Sequence, residues 1–173
     1  MGLLQKLLNG NADLIEWQNA VMPDKSEKLY VTRKQLEATT IQVAMDCMRI
    51  FDDSANIINS TTKPDVFFSR LELAEEKLTT LAQIEPYMAQ VKAIDIKQSM
   101  ADLLNEFQNN RYFYIGSFLN RYYCAVKEKA EGMKTEKGKL NQFQKFKESL
   151  EPHTHHFNLD NMTMFEAMCK QEI

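Results

Sequence analysis

The stretch "TRKQLEATTIQVAMDCMRIFDDSANIINS", Thr32 to Ser60, decides the fold. Leu36, Val43, Ile50 and Ile57 recur every seven residues, and Thr40, Cys47 and Ser54 fall between them at the same interval. One large row beside one small row is the seam of a helix that packs closely against another helix. Ala44, Phe51 and Ile58 broaden the stripe, so the helix needs more than one neighbour. Thr32 followed by Gln35 fits a capping box, in which each residue satisfies a backbone donor of the other's turn. At 1.5 Å per residue such a helix is about 42 Å long.

Working outward, "STTKPDVFFSRLELAEEKLTTLAQIEPY" (60–87) supplies a break and a second helix. Pro64 suits the first turn, where its missing N–H is no loss, and Asp65 complements the helix dipole. Phe67, Leu71, Ala74, Leu78 and Leu81 form its stripe, and Pro86 predicts its end near residue 85. A connection this short makes the second helix an antiparallel neighbour of the first. Residues 87–98 read as a short helix or an ordered loop. Ser99 opens a third long helix, about 99–131, with Leu104, Phe107, Tyr114, Phe118, Tyr122 and Ala125 at helical spacing. Gly116 interrupts it and predicts a close contact or a bend. "MKTEKG" (133–138) reads as a loop, "KLNQFQKFKESL" (139–150) as a shorter helix ending before Pro152, and Asp160–Lys170 as a last helix. No two-residue alternation is sustained anywhere, so no sheet is expected.

The expected fold is therefore all-α: an antiparallel helical bundle with three long helices, about 32–60, 64–85 and 99–131, and shorter flanking helices. With 173 residues the chain suits a single helical domain, 1–173. Residues 1–20 form an N-terminal amphipathic segment, and 151–173 a short C-terminal helix after a His-rich loop. Scarce Gly and Pro agree with helix. No apolar run approaches the ~20 residues of a membrane-spanning helix. "MGLLQKLLNG" has neither the charge nor the length of a signal peptide, and Lys6 stands where myristoylation needs Ser or Thr. Cys47, Cys124 and Cys169 are far apart and odd in number, which suits a reducing compartment. These features predict a cytoplasmic protein with no integral membrane association.

Catalytic sets are hard to assemble from this chain. Its only histidines, His153, His155 and His156, lie in "EPHTHHFNLDNM" (151–162). Pairs of them are candidate zinc ligands, but a stable site needs three or four donors, and Glu151, Asp160 and Cys169 have no recognised spacing. The preferred reading is a solvated loop without metal. Di-iron bundles need Glu-x-x-His pairs on core helices, and no histidine precedes residue 153. Glu72 and Glu75 resemble the E-x-x-E pair of all-helical nucleotide pyrophosphatases, without the downstream acidic pair that completes a magnesium site. Asp46, Asp52 and Asp53 read as the wet face of the first helix. No phosphate-binding glycine loop or G-x-S-x-G elbow occurs. No catalytic residue and no cofactor are assigned.

Charge and rings point to binding instead. Residues 1–110 carry 11 Lys/Arg against 16 Asp/Glu, and residues 111–173 carry 10 against 8. Within 127–147 there are seven lysines, three glutamates and the rings Phe143 and Phe146. Lys134, Lys137, Lys139 and Lys145 are candidate nucleic-acid contacts. "RYFYIGSFLNRYYCAV" (111–126) has more rings than one inward stripe takes, so Tyr112, Phe113, Arg121 and Tyr123 are candidates for a protein contact. Leu3, Leu4 and Leu7, with Leu8, form a leucine patch on a segment too short to be stable alone.

"IINSTTKPDVFFSRLELAEEKL" (57–78) and "NRYYCAVKEKAEGMKTEKGKLNQFQKF" (120–146) resemble a group of small, uncharacterised helical proteins of Gram-positive bacteria, over about residues 50–150. The resemblance implies a compact helical domain in a bacterial cytoplasm and transfers no reaction, cofactor or functional residue. It also implies that Asn59–Arg70 is a structural turn, capped by Asp65, started by Pro64 and anchored by Phe67 and Phe68. The functional expectation is a non-enzymatic interaction module that binds a partner protein or a second copy of itself. Nucleic-acid binding through 127–147 is the first alternative, and a metal-dependent hydrolase using the histidines or aspartates the second.

Overall fold

Among the residues described by the computed structural model, 33–91 and 94–170, every regular element is helical. They are α1 (Arg33–Ser60), α2 (Pro64–Met88), α3 (Met100–Glu131), α4 (Glu136–Leu150), a 3-10 turn (Glu151–His156) and α5 (Leu159–Lys170). The three long helices and shorter flanking ones are those the periodicity predicts. Thr32 and the leucine patch Leu3, Leu4 and Leu7 lie outside the described residues. The chain divides into two compact units, one containing Leu73–Glu106 with the chain up to Asp53, the other Ser54–Glu72 with Phe107 onward.

In the first unit, α2 contributes Ala74, Leu78, Leu81, Ile84 and Met88, all essentially without solvent contact. On α1 the small residues are the buried ones: Thr40 and Cys47 of the small row and Ala44 of the adjoining stripe are covered, while Val43 and Ile50 are half-buried. Small side chains let backbones approach, so the contact line follows them and the larger residues flank it. On the wet side Arg49 lies 3.6 Å from Asp46 and 3.9 Å from Asp53. This occupies the acidic face with an ordinary i, i+3/i+4 pairing.

α2 runs past Pro86 to Met88, against the expected end at 85. Proline in a last turn forfeits only one intrahelical bond, and the turn closes with Gln90 N donating to Tyr87 O and Val91 N to Met88 O. Glu85 then starts the next helix. Its Oε2 accepts from Ser99 Oγ at 3.3 Å, Met100 N at 3.1 Å and Ala101 N at 3.4 Å. Three donors at the start of α3 that would otherwise face solvent or nothing are satisfied by one carboxylate, as the dipole favours.

In the second unit the core is aromatic. Phe67 stacks on Phe118 with centroids 4.1 Å apart, and Phe68 meets both rings edge-on. From Phe118 the contacts continue to Tyr122, Phe146 and Phe165. The deepest residues of α3 here are Ile115, Phe118 and Leu119, one row over from the expected Tyr114–Phe118–Tyr122 line. Tyr114 and Tyr122 are half-buried instead.

Polar ties fix the ends of these elements. Arg121 donates from Nε to Thr61 O at 3.0 Å and from a terminal nitrogen to Ile58 O at 2.7 Å, capping α1 and holding the Thr61–Lys63 connection. Gly116 marks a close contact: the Asn161 amide, which donates to Tyr112 O, lies 3.4 Å from where a Cβ would stand. α4 begins at Glu136 and not after the glycine, because Thr135 is its N-cap and accepts from Gly138 N at 3.1 Å. Asn158 caps α5 in the same manner, its Oδ1 accepting from Asn161 N.

Candidate functional site

The histidine segment is a 3-10 turn that packs, not a solvated loop. His153 and His156 are only 16% and 11% exposed at their side chains. Both rings lie nearly parallel to Phe68, with centroids at 4.4 Å and 5.0 Å. A histidine in such a place is held by what its nitrogens meet. His153 Nε2 donates to Asp65 Oδ1 at 2.9 Å, and His155 Nδ1 to Pro152 O at 2.9 Å. His156 Nδ1 is 3.1 Å from an Arg111 terminal nitrogen, and a guanidinium can only donate, so Nδ1 accepts. The ring proton then sits on Nε2, 3.5 Å from Glu72 Oε1.

Burial pushes the His156 pKa down, and the neighbouring His155 and Arg111 push the same way against the opposing Glu72. Burial and the Arg111 bond to Nδ1 thus orient the His156 imidazole and favour its neutral form. The three rings send their polar atoms to different partners, and among the described residues no three His, Cys, Asp or Glu groups gather where an ion could be held. The chemistry of this cluster is anchoring: it fastens the turn after α4 to the start of α2. Asp65 and Glu72, read in the sequence as a dipole partner and half of an acidic pair, are its carboxylates.

The candidate contact residues of α3 separate. Tyr112 and Phe113 are exposed, Phe113 by 71%. Arg121 is committed to the α1 carbonyls, with its guanidinium carbon 6.0 Å from the Phe118 ring centre. Tyr123 is half-buried against Phe143 and Phe146. Of the lysines, Lys134, Lys137 and Lys145 are exposed, and Lys139 is held by Glu136 at 2.7 Å.

A feature that periodicity alone does not reveal is a groove between α4 and α5, with a volume of about 760 Å³ and open to solvent. Its apolar surface comes from Leu140, Phe143, Phe146 and Met168. Leu140 is 55% exposed at its edge, whereas Phe146 and Met168 are buried. Lys137 and Lys147 also line it, and no aspartate or glutamate does among the described residues. On the other side of Phe143 a smaller depression, about 250 Å³, is bordered by Lys127, Lys139 and Glu131. Leu140 is the residue whose sequence signal was available: it is the apolar member of "KGKLNQFQKF" that does not fall on the Phe143–Phe146–Leu150 face.

Cys47 is buried, and burial raises its pKa. Cys169 borders the groove, and partial burial raises its pKa as well, so neither is an activated thiolate. Among the described residues no helix is long and apolar enough to cross a membrane. Comparison of the chain with protein-family models, curated proteins and solved structures gives no match.

Proposed function

We propose that this protein is a non-enzymatic helical interaction module of a bacterial cytoplasm, and that the α4–α5 groove is where a partner docks. The observation that carries the reading is the groove itself. It is a solvent-open depression lined in part by Phe143, Phe146 and Met168, and Leu140 in its lining is over half exposed. Amphipathic helices lay their apolar faces into grooves of this kind through residues at i, i+3/i+4 and i+7. The Arg121 bonds and the histidine contacts support the same view, since they fix helix ends and turns. All three cysteines are unpaired, in keeping with a reducing compartment.

Selection of a displayed random-peptide library on the full chain, with counter-selection on Leu140→Glu, tests the proposal. The expected survivors share an apolar i, i+3/i+4, i+7 pattern and lose binding to the variant. Survivors that bind both proteins alike, or a selection that enriches nothing, would show the reading to be wrong. Leu140 is exposed, so the variant should retain the wild-type helical circular dichroism and melting curve.

A further inference from the structure

The charged residues that line the groove have one sign, although Glu151 and Glu166 lie near enough to Cys169 on its border to add to the rise that burial gives that thiol's pKa. Lys137 and Lys147 line it, and among the described residues no carboxylate shares the lining. They stand ten residues apart on α4, about 15 Å along the axis, one toward each end of the groove. Lys147 has Glu151 at 3.8 Å, an exposed i, i+4 pair of the weak kind that a better-placed anion displaces. Glu136 and Glu148 also belong to α4, but Glu136 engages Lys139 and Glu148 accepts from Gln144, and neither reaches the groove lining.

Resting on the reading of this groove as a docking site, we propose that its occupant is an acidic amphipathic helix of a partner protein. Its apolar stripe seats against exposed Leu140 and half-buried Phe143, next to the largely buried Met168. Carboxylates at its two ends, about ten or eleven residues apart, meet Lys137 and Lys147. That spacing is three helical turns, so both acids fall near one side of a helix lying along α4. Phosphate backbones would also satisfy the lysines. They would leave the apolar lining without a counterpart, and of the four lysines first read as nucleic-acid contacts, Lys139 is already paired. Complementary charge at a rim governs selectivity and approach more than raw affinity, and salt weakens it.

The test uses the full chain and three labelled helical peptides of about four turns with one shared apolar stripe, carrying Glu, Gln or Lys at the two end positions. Fluorescence anisotropy should give the order Glu, Gln, Lys. The Glu peptide should bind about 10-fold tighter than the Gln peptide at ~50 mM salt, and about 2-fold tighter at ~500 mM. The double variant Lys137→Glu, Lys147→Glu should reverse the order, and Lys137→Arg, Lys147→Arg should preserve it. Leu140→Glu should weaken all three peptides together.

Equal binding of the Glu and Gln peptides would overturn the acidic assignment while leaving the groove a docking site. Failure of every peptide to bind would overturn both. Displacement of the Glu peptide by a short oligothymidylate at low salt would assign the lysines to phosphate and contradict the proposal. So would sedimentation showing a dimer that Leu140→Glu dissociates, because a second copy would then be the occupant.

Discussion

The two compact units solve the same packing problem with different side chains. The unit containing Leu73–Glu106 is filled by Ala74, Leu78, Leu81, Ile84 and Met88, and Phe51 and Tyr87 are its only aromatic residues among those described. The unit containing Ser54–Glu72 and Phe107 onward is filled by Phe67, Phe68, Phe118 and Phe146, with the histidine turn laid on the same stack. Aliphatic packing is nearly non-directional, so shape and volume suffice. Rings have preferred edge and face arrangements, and Tyr122, with its hydroxyl 3.0 Å from Ser149 Oγ, needs a polar neighbour too. The aromatic unit accordingly has several polar ties between distant positions, Arg121 to the α1 end, Asn161 to Tyr112, and His156 between Arg111 and Glu72, while in the aliphatic unit Glu85 ties the end of α2 to the start of α3.

The sharpest way to break this contrast is to alter one residue in each unit. Phe118→Leu should cost about 2–3 kcal/mol, because ring contacts and volume are lost together, whereas Leu81→Met should cost under about 1.5 kcal/mol. Urea unfolding midpoints measure both, and equal costs would remove the distinction between oriented and non-directional packing. Next in size is the clamp. Arg121→Ala should cost about 2 kcal/mol through two lost charge-assisted bonds, and Arg121→Lys should recover less than half of that, since an ammonium cannot span both carbonyls in the fork geometry. Full recovery by lysine would reduce Arg121 to a point charge.

The smallest effect concerns pH. The folded His156 pKa is below its ordinary value, so between the folded and unfolded pKa values the unfolded chain binds more protons. Stability should therefore be fully present above about pH 6.5 and decline as pH falls towards the folded pKa. Melting temperatures across this range should slope less in His156→Gln than in the wild type. A wild-type curve that is flat or rises on acidification would contradict the neutral imidazole.

The fold was legible where burial is set by spacing along one helix. The Phe67–Leu71–Ala74–Leu78–Leu81 stripe could be read residue by residue because each member is buried by its own helix turning it inward. α1 was harder: the heptad identified the seam but not which row lies deepest, since that depends on how near the neighbouring backbone comes. α2 ends three residues beyond the position Pro86 predicts, because a proline in a last turn forfeits only one intrahelical bond, not the several it disrupts in a helix interior. The histidine turn was the least legible. His153 meets a carboxylate 88 positions earlier and His156 a guanidinium 45 positions earlier, and no local pattern encodes such pairs. The groove shares this difficulty, because α4 and α5 build it together. Of its two lysines, Lys137 is among the expected nucleic-acid contacts and Lys147 is not, though it belongs to the same basic segment.

The most direct test of the docking reading uses the methionines, labelled with ¹³C at their methyl groups and observed by NMR. Met168 lines the groove, whereas Met45 and Met48 are exposed on α1, by 63% and 47%. Titration of the full chain with the acidic amphipathic peptide should shift the Met168 resonance to saturation and leave Met45 and Met48 unmoved, and Leu140→Glu should abolish the shift. A saturating shift at Met45 and Met48 with Met168 silent would place the docking surface on α1 and contradict the account.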